Sequence, residues 1–173
     1  MNFYFKNLRT FYFIYPTPEN FDDILLTSDG KVLTGLHFVK QYKASFEQKS
    51  LPIFQEVCRW LDVYVSGQEP DFTPKFRIEN STPFRREVLE ILVSIPFGKT
   101  MTYGEIAAQI AKNHGIEKMS AQAVGGAVGK NPIGIIIPCH RVLGSGKSLT
   151  GYSGGIKNKI GLLKVERIEF LEE

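Results

Sequence analysis

Cysteine is scarce in this 173-residue chain: there are two, Cys58 and Cys139, far apart. That excludes a disulfide framework, and neither cysteine has the neighbours that make a structural zinc site. Histidine is almost as rare. His37 and His114 stand without further ligands at useful spacing, so no metal and no cofactor is expected. No apolar run approaches membrane-spanning length, and Lys6 and Arg9 interrupt the aromatic segment Met1–Tyr15, which lacks signal-peptide form. Repeats and low-complexity tracts are missing. A net charge of +3 is too small to argue by itself for a polyanionic partner. What remains is a cytoplasmic globular protein, 43% hydrophobic, with enough apolar mass for a core and nothing that demands more than a monomer.

What is present divides into two expected domains, residues 1–80 and 81–173. In the first, residues 10–15, 24–28 and 31–39 are strand-like, the last two joined through the hairpin-turn pair Asp29-Gly30. From Pro52 the pattern turns helical. Ile53, Phe54, Val57, Cys58, Leu61 and Val65 recur at three- and four-residue steps, with Gly67 placed to end the helix. Cys58 lies on that stripe and reads as an unreactive core thiol. Residues 66–82, with Pro70 and Pro74, read as the connection.

The second half reads as short helices. Thr82 caps one, with Pro83 in its first turn and Phe84, Val88, Leu89, Ile91 and Leu92 on its buried face. Thr102-Tyr103-Gly104-Glu105 is a capping box opening a helix to about Lys112. Ser120 caps another from Ala121 to about Gly129, and the intervening turn makes the pair a helix-turn-helix. The expected fold is therefore α/β (α+β): a small N-terminal sheet-plus-helix domain, then a mainly helical domain with a helix-turn-helix.

Two segments carry chemistry. Ala121–Gly129 is small nearly all round, although each glycine costs a helix about 1 kcal/mol relative to alanine. Tight helix packing explains part of this; close approach to a large partner such as a nucleic-acid groove explains the rest. The second segment is Ile135-Ile136-Ile137-Pro138-Cys139-His140-Arg141-Val142. Its β-branched run predicts a buried strand or extended core segment that Pro138 ends, leaving Cys139 exposed at the tip.

These segments, taken with their surroundings, resemble one family. Pro96-Phe97-Gly98 with Thr102-Tyr103, Ala123-Val124-Gly125-Gly126-Ala127, Asn131-Pro132, Ile137-Pro138-Cys139-His140-Arg141-Val142, Gly151-Tyr152-Ser153-Gly154-Gly155 and Leu162-Leu163 followed by Glu166 together resemble the O6-alkylguanine-DNA alkyltransferases. The likeness spans Thr82 to Glu166; the first half matches only in length and coarse pattern.

The resemblance implies repair of O6-methylguanine, and of O4-methylthymine, in duplex DNA, by transfer of the alkyl group to Cys139 from a base flipped out on the minor-groove side. It implies His140 as base through a water, Glu166 as its orienter, and Asn131 as stabiliser of the site's backbone and water network. Tyr103 would donate to the guanine ring, with Tyr152 and Ser153 in a loop over the base and backbone near Val142 reading its edge. Ala121, Gln122, Ala123, Gly125 and Gly126 would meet DNA, with Lys130 and Arg141 adding charge. Gln122 departs from the arginine common in the family, and Gly134 falls where many relatives carry another residue. The thioether product has no good leaving group, so one turnover is expected, without an obligatory protein partner. Three rivals remain: a lesion sensor of the same fold, a helix-turn-helix regulator, and a Cys-His hydrolase.

Overall fold

Alternating apolar residues in the first half build an antiparallel sheet of order β1-β2-β3, from Phe11–Tyr15, Asp23–Ser28 and Leu33–Val39. The computed structural model describes residues 9–40 and 48–171. On β2, Ile24, Leu26 and Ser28 point inward, and α1 (Pro52–Val65) packs on this face, with Phe54 stacked on Phe13 at 5.6 Å. β3 starts two residues later than the alternation predicts. Asp29 Oδ1 accepts from the Lys31 and Val32 N–H groups at 2.9 and 3.0 Å, and that Asx turn uses up donors the ladder needs.

The outer edge of β3 is covered at its start and its middle, which shortens the open pairing edge. Leu33 N–H donates to Lys75 O and Arg77 N–H to Leu33 O, both at 2.9 Å, so the connection lies along the strand rather than hanging free. Further along, Leu36 N–H donates to Pro132 O and Gly134 N–H to Leu36 O, again at 2.9 Å.

The second half follows its capping signals. Thr82 caps α2 (Pro83–Val93), Thr102 and Glu105 form a complete capping box on α3 (Tyr103–His114), and Ser120 caps α4 (Ala121–Val128). Gly115, left-handed at φ 63, ends α3. α4 packs against α2 and α3. Two short strands, β4 (Met101–Thr102) and β5 (Val142–Leu143), pair in parallel, which brings the start of α3 beside the residues after Cys139. α5 (Ile156–Val165) closes the fold. One buried cluster runs from Tyr15 through α1 and α2 to Leu162, drawing on both halves. No helix among the described residues is long and apolar enough to cross a membrane.

The strand expected at Ile135–Ile137 does not form. Ile135 sits at φ 64, and Ile136 N–H closes onto Gly134 O at 2.7 Å, a γ-turn that strains a β-branched residue. Pro138 centres a second, inverse γ-turn, with Cys139 N–H on Ile137 O at 2.8 Å. The run is buried as its hydrophobicity demands, but its backbone groups bond locally and to one asparagine side chain instead of to a neighbouring strand.

Candidate active site

That asparagine is Asn131, at the end of the α4 connection. Its Nδ2 donates to Ile137 O at 2.8 Å, to Ile133 O at 3.3 Å and to Cys139 Sγ at 3.1 Å, while its Oδ1 accepts from Ile133 N–H at 3.0 Å. One side chain thus shapes the double turn and aims a donor at the sulfur. Cys139 opens a 3-10 turn, Cys139–Arg141, and is 4% exposed. It is therefore not the exposed tip that the sequence suggests. The Pro138 turn folds its sulfur inward, onto a cavity of about 50 Å³ that Asn131, Gly134, Tyr152, Ser153, Leu36 and Phe38 also line.

Burial pushes the Cys139 thiol up from its ordinary value. The Asn131 donor, the Tyr152 hydroxyl and the Lys159 charge act in the opposite direction. At neutral pH the sulfur carries its proton, and any nucleophilic use of it needs a base.

His140 is fully buried beside it. Its Nε2 lies 2.7 Å from Glu166 Oε1. A carboxylate only accepts, so Nε2 carries the hydrogen and Nδ1 presents its lone pair. Nδ1 is buried, with no hydrogen-bond partner among the described residues. Burial pushes the imidazole's pKa down, against the pull of Glu166, which keeps it neutral.

Glu166 is the C-cap of α5 and is 3% exposed. Its Oε1 accepts from His140 and from the Tyr64 hydroxyl at 2.7 Å; its Oε2 accepts from Arg141 Nε and Gly98 N–H, both at 2.9 Å. Burial alone raises its carboxyl, but the hydrogen bonds of His140 and Arg141 and the Arg141 charge outweigh this and hold it at about 2. Gly98, at φ 72, turns the Pro96-Phe97-Gly98 corner so that its N–H meets that oxygen.

Arg141 differs from expectation. The resemblance gives it to DNA, yet its side chain is 11% exposed: Nε is held by Glu166, Nη1 donates to Ile95 O, and the guanidinium lies over Phe97 at 5.7 Å. An arginine that neutralises a buried carboxylate has little charge left for an external phosphate.

The remaining residues fall on two sides of the sulfur. Tyr103, half-buried at the head of α3, accepts from Thr150 Oγ1 at 3.1 Å, which leaves its own O–H free to donate. Tyr152 is half-buried with its hydroxyl on the thiol, and Ser153 is exposed on the same loop. Val142 is buried; its N–H turns back to Cys139 O and its carbonyl accepts from Lys159 Nζ at 2.8 Å.

On α4, Ala121, Gln122, Ala123 and Gly126 are exposed, Gly125 is half-buried, and Lys130 is exposed just beyond. A Cβ on Gly126 would meet nothing within 4 Å. Internal packing therefore does not require that glycine.

Sequence reasoning missed three contributors. Tyr64 reaches the site from α1, spaced four from Trp60 on the buried face; a phenol on a core stripe signals a hidden polar partner. Lys159 is fully buried, donates to Val142 O and Thr150 O, and is pushed down to about 8, chiefly by burial. Its signal was a lysine in step with Leu162 and Leu163 on the apolar face of α5. The third is the cavity wall from β3, which no local pattern reveals.

The chain is similar to known proteins over nearly its whole length. Residues 83–168 match the family model described as 6-O-methylguanine DNA methyltransferase, DNA binding domain. The chain is 36% identical over 167 residues to a methylated-DNA–protein-cysteine methyltransferase of Haemophilus influenzae, covering 94% of this chain and 89% of that protein. The Mycobacterium tuberculosis O6-methylguanine methyltransferase superposes with a TM-score of 0.76 at 34% identity, over 92% of this chain and 93% of that one. The crystal structure of the M. tuberculosis protein in complex with DNA superposes at 0.74 and 35% identity, over 90% and 92%.

Proposed function

The chain belongs to the methylated-DNA–protein-cysteine methyltransferase family of DNA-repair enzymes, and we propose that it clears O6-methylguanine from duplex DNA by moving the methyl group to Cys139 once per molecule. The observation that carries this reading is the environment of the sulfur. A buried thiol faces a small cavity under an Asn131 donor, beside a neutral imidazole whose Nδ1 lone pair is unclaimed.

In the proposed step, Sγ attacks the methyl carbon, the S–C bond forms as the C–O6 bond breaks, and the electron pair leaves on the guanine. The thiol proton passes through a water to His140 Nδ1, and Glu166 holds the resulting imidazolium. Tyr103 donates to the guanine ring as charge develops there, which lowers the barrier by stabilising the leaving group. The product is a thioether, so the protein acts once. O4-methylthymine presents the same kind of methyl on an exocyclic oxygen and reacts the same way.

The methyl of O6-methylguanine lies inside the stack, so the base must be flipped, at a cost of a few kcal/mol that damage lowers. The exposed small face of α4 enters the minor groove, with Gly125 and Gly126 allowing close backbone approach and Lys130 on a phosphate. Gln122 fills the gap, without the charge of the usual arginine. Tyr152 and Ser153 close over the base, and Val142 contributes backbone. On this reading residues 81–173 carry recognition and chemistry on a scaffold of residues 1–80, in a cytoplasmic monomer without an obligatory partner.

Mass spectrometry after incubation with duplex DNA bearing one O6-methylguanine tests it. One methyl group on the Cys139 peptide, capped at one per protein, is expected. Bound DNA with Cys139 unmodified would replace this reading with a lesion sensor or regulator.

A further inference from the structure

The N-terminal half supplies a hydroxyl to the buried Glu166–His140 pair. Tyr64, in the last turn of α1, donates to Glu166 Oε1 at 2.7 Å and lies 3.2 Å from His140 Nε2. The three polar atoms form a closed triangle around the single hydrogen on Nε2. The phenol ring is fully buried and held rigidly, stacked on Trp60 at 5.3 Å and 7° and edge-on to Phe97 at 5.9 Å and 80°. Its oxygen therefore has almost no freedom to turn away.

An imidazole has two neutral tautomers, and only one leaves Nδ1 able to take a proton. With Nε2–H on Glu166 Oε1, the Tyr64 hydrogen must also point to Glu166, which saturates that oxygen. The opposite tautomer would put the Tyr64 hydrogen on a bare Nε2, leave Glu166 with two donors fewer, and block Nδ1 with its own hydrogen. We propose that Tyr64 is a positioning residue for alkyl transfer: by sharing Glu166 Oε1 with His140, its hydroxyl moderates the carboxylate's pull on Nε2–H, so that the imidazole rests neutral with Nδ1 free to accept the Cys139 proton. The role rests on Cys139 being the alkyl acceptor. It also makes the N-terminal half part of the proton path.

The charged and titratable groups facing the Tyr64 hydroxyl are Glu166, His140, Arg141 and Tyr152. Burial and the Glu166 charge push its own ionisation well above the ordinary tyrosine range, so it stays a donor throughout the working pH range. Removing it leaves Oε1 a stronger acceptor for Nε2–H. The imidazolium is then favoured, and the acid limb of the reaction moves to higher pH.

The test compares the whole protein with Tyr64→Phe, which keeps the ring. Single-turnover methyl transfer is followed across pH with saturating O6-methylguanine duplex, DNA affinity is measured separately, and 15N NMR reads the His140 ring in both proteins. The expected result is Nε2–H in the wild type and, in Tyr64→Phe at unchanged affinity, an acid limb shifted upward, with a rate about tenfold lower on that limb. A wild type with Nδ1–H, an equal rate in the variant at every pH, or a slower variant with an unmoved acid limb overturns the role of Tyr64. A wild type that leaves the DNA methylated and Cys139 bare overturns the alkyl-acceptor reading instead, and the NMR result distinguishes the two failures.

Discussion

Cys58 and Cys139 are the same residue type in two differently built neighbourhoods. Cys58 is half-buried on α1; burial first, and the Asp62 charge second, push its thiol up to about 11. Both effects disfavour its thiolate. Cys139 is more deeply buried, and burial raises it too, yet Asn131, Tyr152 and Lys159 all favour its thiolate and a neutral imidazole lies alongside. Burial alone therefore does not separate an inert thiol from a usable one. The sign of the groups aimed at the sulfur does.

The sharpest way to break this contrast is to remove each sulfur in turn. Cys139→Ser should slow methyl uptake from O6-methylguanine DNA by roughly a thousandfold or more, whereas Cys58→Ser should stay within about twofold in the same single-turnover assay. Next is the base side of Cys139. Glu166→Gln should cost about a hundredfold in rate by loosening the imidazole and weakening its cation.

Glu166 also gives the site a pH signature that Cys58 lacks. Its folded carboxyl, at about 2, lies below the unfolded value near 4.3, so its stabilisation is complete above that value and lost as pH falls towards 2. Urea unfolding at pH 6 and pH 3 should show that fall in the wild type and a smaller one in the glutamine variant; equal falls would mean the carboxylate is not held as described.

Asn131→Ala withdraws the donor at 3.1 Å from Sγ. It should lower the transfer rate about tenfold and move the pH dependence of Cys139 alkylation by iodoacetamide upward, because the thiolate loses a hydrogen bond. The smallest effect belongs to Cys58. Asp62→Asn removes the charge that raises its thiol and should speed its alkylation at pH 8 by about two- to threefold while leaving Cys139 unchanged. If Cys139 responds instead, the two neighbourhoods are coupled.

How far the site was legible in sequence depends on how local each cause is. Helix caps at Thr82, Thr102 and Ser120 act within three residues of themselves, and all three were readable. The Ile135–Ile137 run was not. A β-branched triplet reports burial but not where its backbone bonds go, and here the Asn131 amide and the two γ-turns decide that. Arg141 misled for a related reason: a cation next to a nucleophile looks like a phosphate contact until the buried carboxylate of Glu166 comes into view.

By itself the chain determined its three N-terminal strands, its capped helices, the small face of α4 and the motif set around Cys139, because periodicity, capping and residue type are local properties. Only the tertiary structure decided that Cys139 faces inward, that β3 walls its cavity, that Lys159 and Tyr64 are buried beside the chemistry, and that Arg141 is neutralised within the protein. Each of those depends on desolvation and on partners far away in sequence. A buried charge or hydroxyl takes its state from whichever group the fold places within hydrogen-bond reach.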